Sequence, residues 1–132
     1  MFLYPCILAL TIVMAGCSFT TANLTDLKMA SAVDEDSFPT TVTNVFQTNS
    51  AVIYATGAYN NAPEGTTVAA EWHYLDATPT IYIDDAILTV DGVSGQFSFS
   101  LSKPTNGWPT GSYEVRFFID DIHVSTLPFT VE

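Results

Sequence analysis

His73 and His123 are the only two histidines of the chain, so a histidine general base would have to be one of them. A hydrolytic triad needs a nucleophile, a base and an orienting acid within hydrogen-bond reach. No Gly-x-Ser-x-Gly elbow accompanies either histidine. Both are expected as solvated surface residues, and no catalytic residue and no cofactor is assigned. Zinc would need three or four convergent ligands, and neither a His-Glu-x-x-His helix nor paired cysteine knuckles occur. Hard oxygen ligands are more plentiful. Asp84, Asp85, Asp120 and Asp121, with Asp91, fall near expected turns or strand ends and are the calcium candidates. The Asp-x-Asp-x-Asp-Gly spacing of a calcium loop is absent, so solvated turns and guarded strand edges are the preferred reading and no metal is assigned.

Flat aromatic surfaces are the other route to a ligand, because they stack on sugar rings or anchor a partner protein. Trp108 lies in a loop bounded by Pro and Gly, Phe118 faces away from Phe117 on an alternating strand, and Tyr59 and Tyr82 stand near strand ends. These four are the candidate ligand contacts. The competing reading makes Trp108 a lid on the core beside Tyr113 and covers Phe118 with a neighbouring segment.

The elements that must hold these residues are extended. Gly107 to Thr110 stops the chain in a loop, after which Tyr113, Val115, Phe117 and Ile119 alternate with Ser112, Glu114, Arg116 and Phe118 at the two-residue period of a strand. Asp120-Asp121 interrupts the pattern, and Ile122 to Val131 can return as an antiparallel partner. Upstream, strands are expected over 41–46, 51–59, 67–74, 80–90 and 96–101. Asn60 to Gly65, Ala77 to Pro79 and Asp91-Gly92 supply the turns. In the third of these strands Val68, Ala70, Trp72 and Tyr74 share one face, and Trp72 is expected to point inward. Asp84-Asp85 divides the fourth, marking a bulge or a sheet edge. The fold class is therefore all-β, an antiparallel sandwich of about seven strands.

Size and charge bound the rest. A chain of 132 residues with 48% hydrophobic content suits one domain and a short extra segment. Fourteen acidic residues against three basic ones leave a net charge of -11, which opposes contact with phosphate backbones and makes nucleic acid an unfavoured partner.

Residues Phe2 to Ala15 carry an apolar run shorter than the 20 or so residues that cross a bilayer. It ends in Met14-Ala15-Gly16-Cys17, which resembles the lipobox of bacterial lipoproteins. Met14 in place of Leu, and the lack of Lys or Arg before the apolar run, depart from that pattern. The resemblance implies a signal peptide over 1–16, lipidation of Cys17, and a protein exported and anchored in the cell envelope, periplasmic or surface-facing. Residues 17–40, rich in Ser, Thr and Ala, are then expected to be a flexible tether, with the folded domain over 41–132. Cys6 would leave with the signal and Cys17 would carry lipid, so no internal disulfide is expected.

Trp72 on the third strand and the run Gly111-Ser112-Tyr113-Glu114-Val115 resemble an immunoglobulin-like or fibronectin type III-like sandwich. In that family a tyrosine at this place folds its hydroxyl back onto nearby backbone, the role the resemblance implies for Tyr113. Val115 occupies the position of the antibody-type cysteine, so apolar contact alone is expected to join the sheets. The expectation for function is a non-enzymatic binding or structural module of a membrane-anchored lipoprotein at the cell envelope. Its partners would be the membrane, through lipid on Cys17, and a protein or glycan at the cell surface. The alternatives are a carbohydrate-binding module using the exposed aromatics, or a small hydrolase.

Overall fold

The computed structural model describes residues 20–132, all of them in strands, turns and loops. Nine strands follow in order: β1 Asn23–Val33, β2 Pro39–Val42, β3 Val45–Phe46, β4 Val52–Asn60, β5 Thr67–Tyr74, β6 Ile81–Thr89, β7 Gly95–Ser102, β8 Gly111–Ile119 and β9 Ile122–Val131. They form a four-stranded sheet in the order β2-β1-β4-β7 and a five-stranded sheet in the order β3-β9-β8-β5-β6. Every pairing is antiparallel except β3 with β9. The all-β sandwich expected from the alternation is what the chain builds.

The inner faces meet in an aromatic core. Trp72, Tyr113, Phe117 and Phe129 are each no more than 2% exposed. Phe129 lies stacked on Tyr113 at 5.0 Å and takes Trp72 and Phe46 edge-on at 6.1 and 5.6 Å. Offset and edge-on contacts of this kind add about 0.5–1.5 kcal/mol each to the area that they bury. Val115 is fully buried in the same core.

Two expectations are corrected by the strand assignments. Residues 17–40 were to be a flexible tether, yet Asn23–Val33 is the second strand of the first sheet and pairs with both β2 and β4. The reason is a bulge. Asp26 takes a positive φ of 55°, and the register with β4 slips between Thr25 and Lys28. The extra residue breaks the alternation, leaving Leu24 and Leu27 three apart as in a helical turn, while Met29 and Ala30 are both buried. Fully buried Thr56 donates its hydroxyl to the Lys28 carbonyl at 3.2 Å beside the slip. The single strand expected over 41–46 is likewise two pieces. The chain leaves β1 at Thr43, whose N–H meets the Met29 carbonyl at 3.1 Å, and joins β9 at Asn44, whose carbonyl accepts from Thr130 N–H at 3.0 Å.

The Asp84-Asp85 doublet does mark an edge and a bulge. β6 ends the second sheet, and its register against β5 slips where Trp72 faces Asp84 and His73 faces Tyr82. The signal segment expected over 1–16, and Cys17, lie outside the described residues. Among the described residues no helix is long and apolar enough to cross a membrane.

Candidate functional site

One end of the sandwich is closed by the loop from Lys103 to Thr110, and tyrosine hydroxyls tie that loop down. Tyr113 donates to the Pro109 carbonyl at 2.5 Å, folding back over four residues, and Tyr74 donates to the Thr110 carbonyl at 2.8 Å. The two rings sit 4.8 Å apart. Burial, with the nearby Tyr74 adding to it, pushes the Tyr113 phenol up to about 12. Trp108 is 3% exposed, and its indole N–H donates to the Ser50 carbonyl at 2.6 Å. Its backbone N–H meets the Thr48 carbonyl at 2.9 Å. With its one polar atom occupied, the indole presents only hydrocarbon to the space beside it.

That space is a pocket of about 250 Å³ lined by Trp108, Tyr74, Tyr113, Pro104 and Pro109 together with Ile81 and Ile83 of β6. No ionisable carboxylate, histidine or lysine lines it. Such a wall can hold an apolar group and exclude water from it, but it supplies no nucleophile and no proton.

The four aromatics singled out in the sequence do not form one platform. Trp108 is a wall of the pocket. Tyr82 is half exposed on the adjoining edge strand but turns to the opposite face, where its ring meets His73 edge-on at 5.6 Å. Desolvation against the strand, then the carboxylate of Asp85 and the charges of Asp84 and Glu71, push its hydroxyl up to about 12. Tyr59 belongs to the other sheet, where it lies across its register partner Gly95. Phe118 stands near the far end of β8, half-buried against His123 at 5.4 Å. Ile81, Ile83 and Tyr74 were legible only as strand residues. Nothing local announces that the edge strand and a loop more than twenty residues later share a cavity.

His73 was expected in solvent and is instead 8% exposed, because Tyr82 lies over it and its Nε2 meets Glu71 Oε1 at 3.1 Å. His123 is exposed, with Nε2 within 2.8 Å of the Thr126 hydroxyl and 3.1 Å of the Ser125 carbonyl. The two lie on different strands, and neither is hydrogen-bonded to a nucleophile flanked by an acid. The aspartates have structural uses. Asp84 Oδ1 accepts the Asp85 N–H at 2.8 Å, and Asp120 Oδ1 accepts the Thr67 N–H at 3.0 Å. Asp120 and Asp121 form the two-residue hairpin turn, with φ of 48° and 68°. Among the described residues no three His, Cys, Asp or Glu side chains come together as a metal site.

No protein-family model matches the chain, and no curated protein matches it in sequence. Among solved structures, part of the Pseudomonas fluorescens alkylpurine DNA glycosylase AlkC, bound to DNA containing an abasic site analog, shares the fold. The match has a TM-score of 0.55 at 11% identity and covers 86% of this chain. It takes in 31% of that protein, so this chain spans under a third of its length. At that identity the likeness is one of fold. It goes against the expected role of a lipoprotein module. The same sandwich stands inside a DNA glycosylase, and the segment that was to space the domain from a membrane is a strand of its first sheet.

Proposed function

We propose that this domain binds a partner protein by taking one of its apolar side chains into the pocket lined by Trp108, Tyr74, Ile81 and Ile83. The observation that carries the reading is the pocket itself: aliphatic and aromatic walls beside a loop held by Trp108, Tyr74 and Tyr113, whose polar side-chain atoms are all spent on backbone carbonyls. Its volume of about 250 Å³ falls below the roughly 300–1,000 Å³ of sites that enclose a whole small molecule, and suits one large side chain. Buried aromatic anchors of this type dominate protein interfaces. The DNA of the glycosylase is not carried over, because three basic residues against fourteen acidic ones leave little to neutralise phosphates.

The test is a titration of the isotope-labelled chain with N-acetyl-phenylalaninamide and N-acetyl-leucinamide, with N-acetyl-glycinamide as control. Shifts confined to the Trp108 indole and the Ile81 and Ile83 methyls, lost in an Ile83→Asp variant that still folds, are the expected result. Shifts spread over the whole surface, or unchanged in that variant, would sink the reading.

A further inference from the structure

We propose that β6 receives an extended, cationic segment of another protein as a sixth strand of the second sheet, a mode of binding that rests on the pocket being a recognition site. β6 is the outermost strand of its sheet and runs for 9 residues, so the backbone N–H and C=O groups that face away from β5 have no strand to pair with. Ile81, Tyr82 and Ile87 stand 48%, 50% and 65% exposed along it. Ile81 and Ile83 lead straight into the pocket. A strand laid on this edge finds backbone partners at the alternate residues that face outward, apart from the slip at Ile83 and Asp84 and the Asp85 N–H that Asp84 Oδ1 already holds, and a seat for one apolar side chain at its end, the two elements of recognition by strand addition. β7, the corresponding edge of the first sheet, has no large exposed apolar side chain.

Charge selects the occupant. Asp84 and Asp85 are exposed in the middle of β6, and their register partners on β5 are Trp72 and Glu71. The row continues to Arg116, which faces Glu71 and is engaged by the Glu114 carboxylate. The edge is therefore left negative. A second copy paired antiparallel about Asp85 would set Asp85 against Asp85 and place four carboxylates within three positions, and opposed like charges destabilise a ladder. A Lys or Arg opposite the doublet meets the complementary charge. The same two residues thus turn away another copy of this chain and admit a basic strand.

The probe is a fluorescein-labelled nine-residue peptide alternating Lys and Val, with one Val replaced by Phe. It is compared with its Glu counterpart and with a version of equal charge carrying a central Pro. The expected result is saturable binding of the Lys peptide alone, with amide shifts along 81–89 and affinity lowered about 2- to 25-fold by Asp84→Asn with Asp85→Asn. Equal binding of the Pro peptide, or no binding of the Lys peptide, would overturn the inference. The pocket reading is scored separately. Loss of the amino-acid amides in Ile83→Asp, with the Asp84→Asn and Asp85→Asn pair leaving Lys-peptide affinity unchanged, keeps the pocket and removes the charge-selected edge. Lys-peptide binding that survives Ile83→Asp, with no amide bound, removes the pocket as anchor and with it the proposed seat.

Discussion

The indole N–H of Trp108 donates to the carbonyl of Ser50 across 58 positions of sequence, at 2.6 Å, and this bond fixes the loop that closes one end of the sandwich. Ser50 lies in the turn before β4, in the first sheet, while Trp108 packs edge-on against Tyr113 of the second at 6.4 Å. One side chain therefore joins a turn, a loop and a strand. Trp108→Phe keeps much of the packing and leaves the Ser50 carbonyl without its donor, at an expected cost of about 1–3 kcal/mol. Trp108→Ala also opens a cavity beside Tyr113 and should cost roughly 3–5 kcal/mol. Urea unfolding of the two variants separates the contributions, and equal losses would assign the whole effect to the hydrogen bond.

Tyr113→Phe deletes the hydroxyl that reaches Pro109 while leaving the stacked ring on Phe129, and should cost about 1–3 kcal/mol. The same hydroxyl gives a pH signature. Its folded-state pKa is raised to about 12 from the ordinary 10.0, so the unfolded chain releases this proton first as the pH climbs. The stabilisation is fully present below pH 10 and disappears as the pH passes through about 12. Thermal melts between pH 9 and pH 12 should show a steeper alkaline loss in the parent than in Tyr113→Phe. Parallel curves would remove Tyr113 from the alkaline transition.

Much of the second sheet was legible because β5 and β8 largely keep the two-residue alternation of a strand. The expected bounds of the third strand, Thr67 to Tyr74, coincide with β5, and the alternation of Tyr113, Val115, Phe117 and Ile119 is reproduced by burial along β8. The first sheet hid its key strand. At Asp26 a single inserted residue shifts the phase of the apolar positions, and Leu24, Leu27 and Met29 then imitate the spacing of a short helical turn. His73 shows the other limit. Alternation assigns it correctly to the face opposite Trp72, but only the slip in β6 brings Tyr82 over it and closes it from solvent. The pocket was invisible for a related reason, since it exists only where the Trp108 loop meets an edge strand paired through β5.

Gly111 opens β8 with a φ of 135°, and a side chain there would run into the Asp76 carboxylate, whose Oδ2 accepts the Ser112 N–H at 3.0 Å. Gly111→Ala therefore meets both an unfavoured backbone and a filled space, and should destabilise by at least about 1–3 kcal/mol. Adding Asp76→Ala relieves the collision with the carboxylate but leaves the backbone strain and takes the acceptor from the Ser112 N–H. The double variant should recover part of the loss and no more, as read from denaturant midpoints. Full recovery would mean that neither the positive φ nor the lost Ser112 bond carries a cost at this position.

Asp84 and Asp85 should restrain self-association along the open edge of β6. Replacing both with Asn removes the like charges, while the amide oxygen of the new side chain at position 84 can still accept the neighbouring N–H, so the fold should be little changed. What changes is the edge: a 9-residue strand bearing Ile81, Tyr82 and Ile87 no longer sets opposed carboxylates against its own image. Sedimentation at rising concentration should show the parent chain monomeric at low salt and the Asp84→Asn, Asp85→Asn variant shifting toward dimer. High salt should move the parent in the same direction, since at 1 M the screening length falls to about 3 Å. A variant that stays monomeric at every concentration would show that the bulge at Ile83 and Asp84, and not the charge, keeps the edge from pairing.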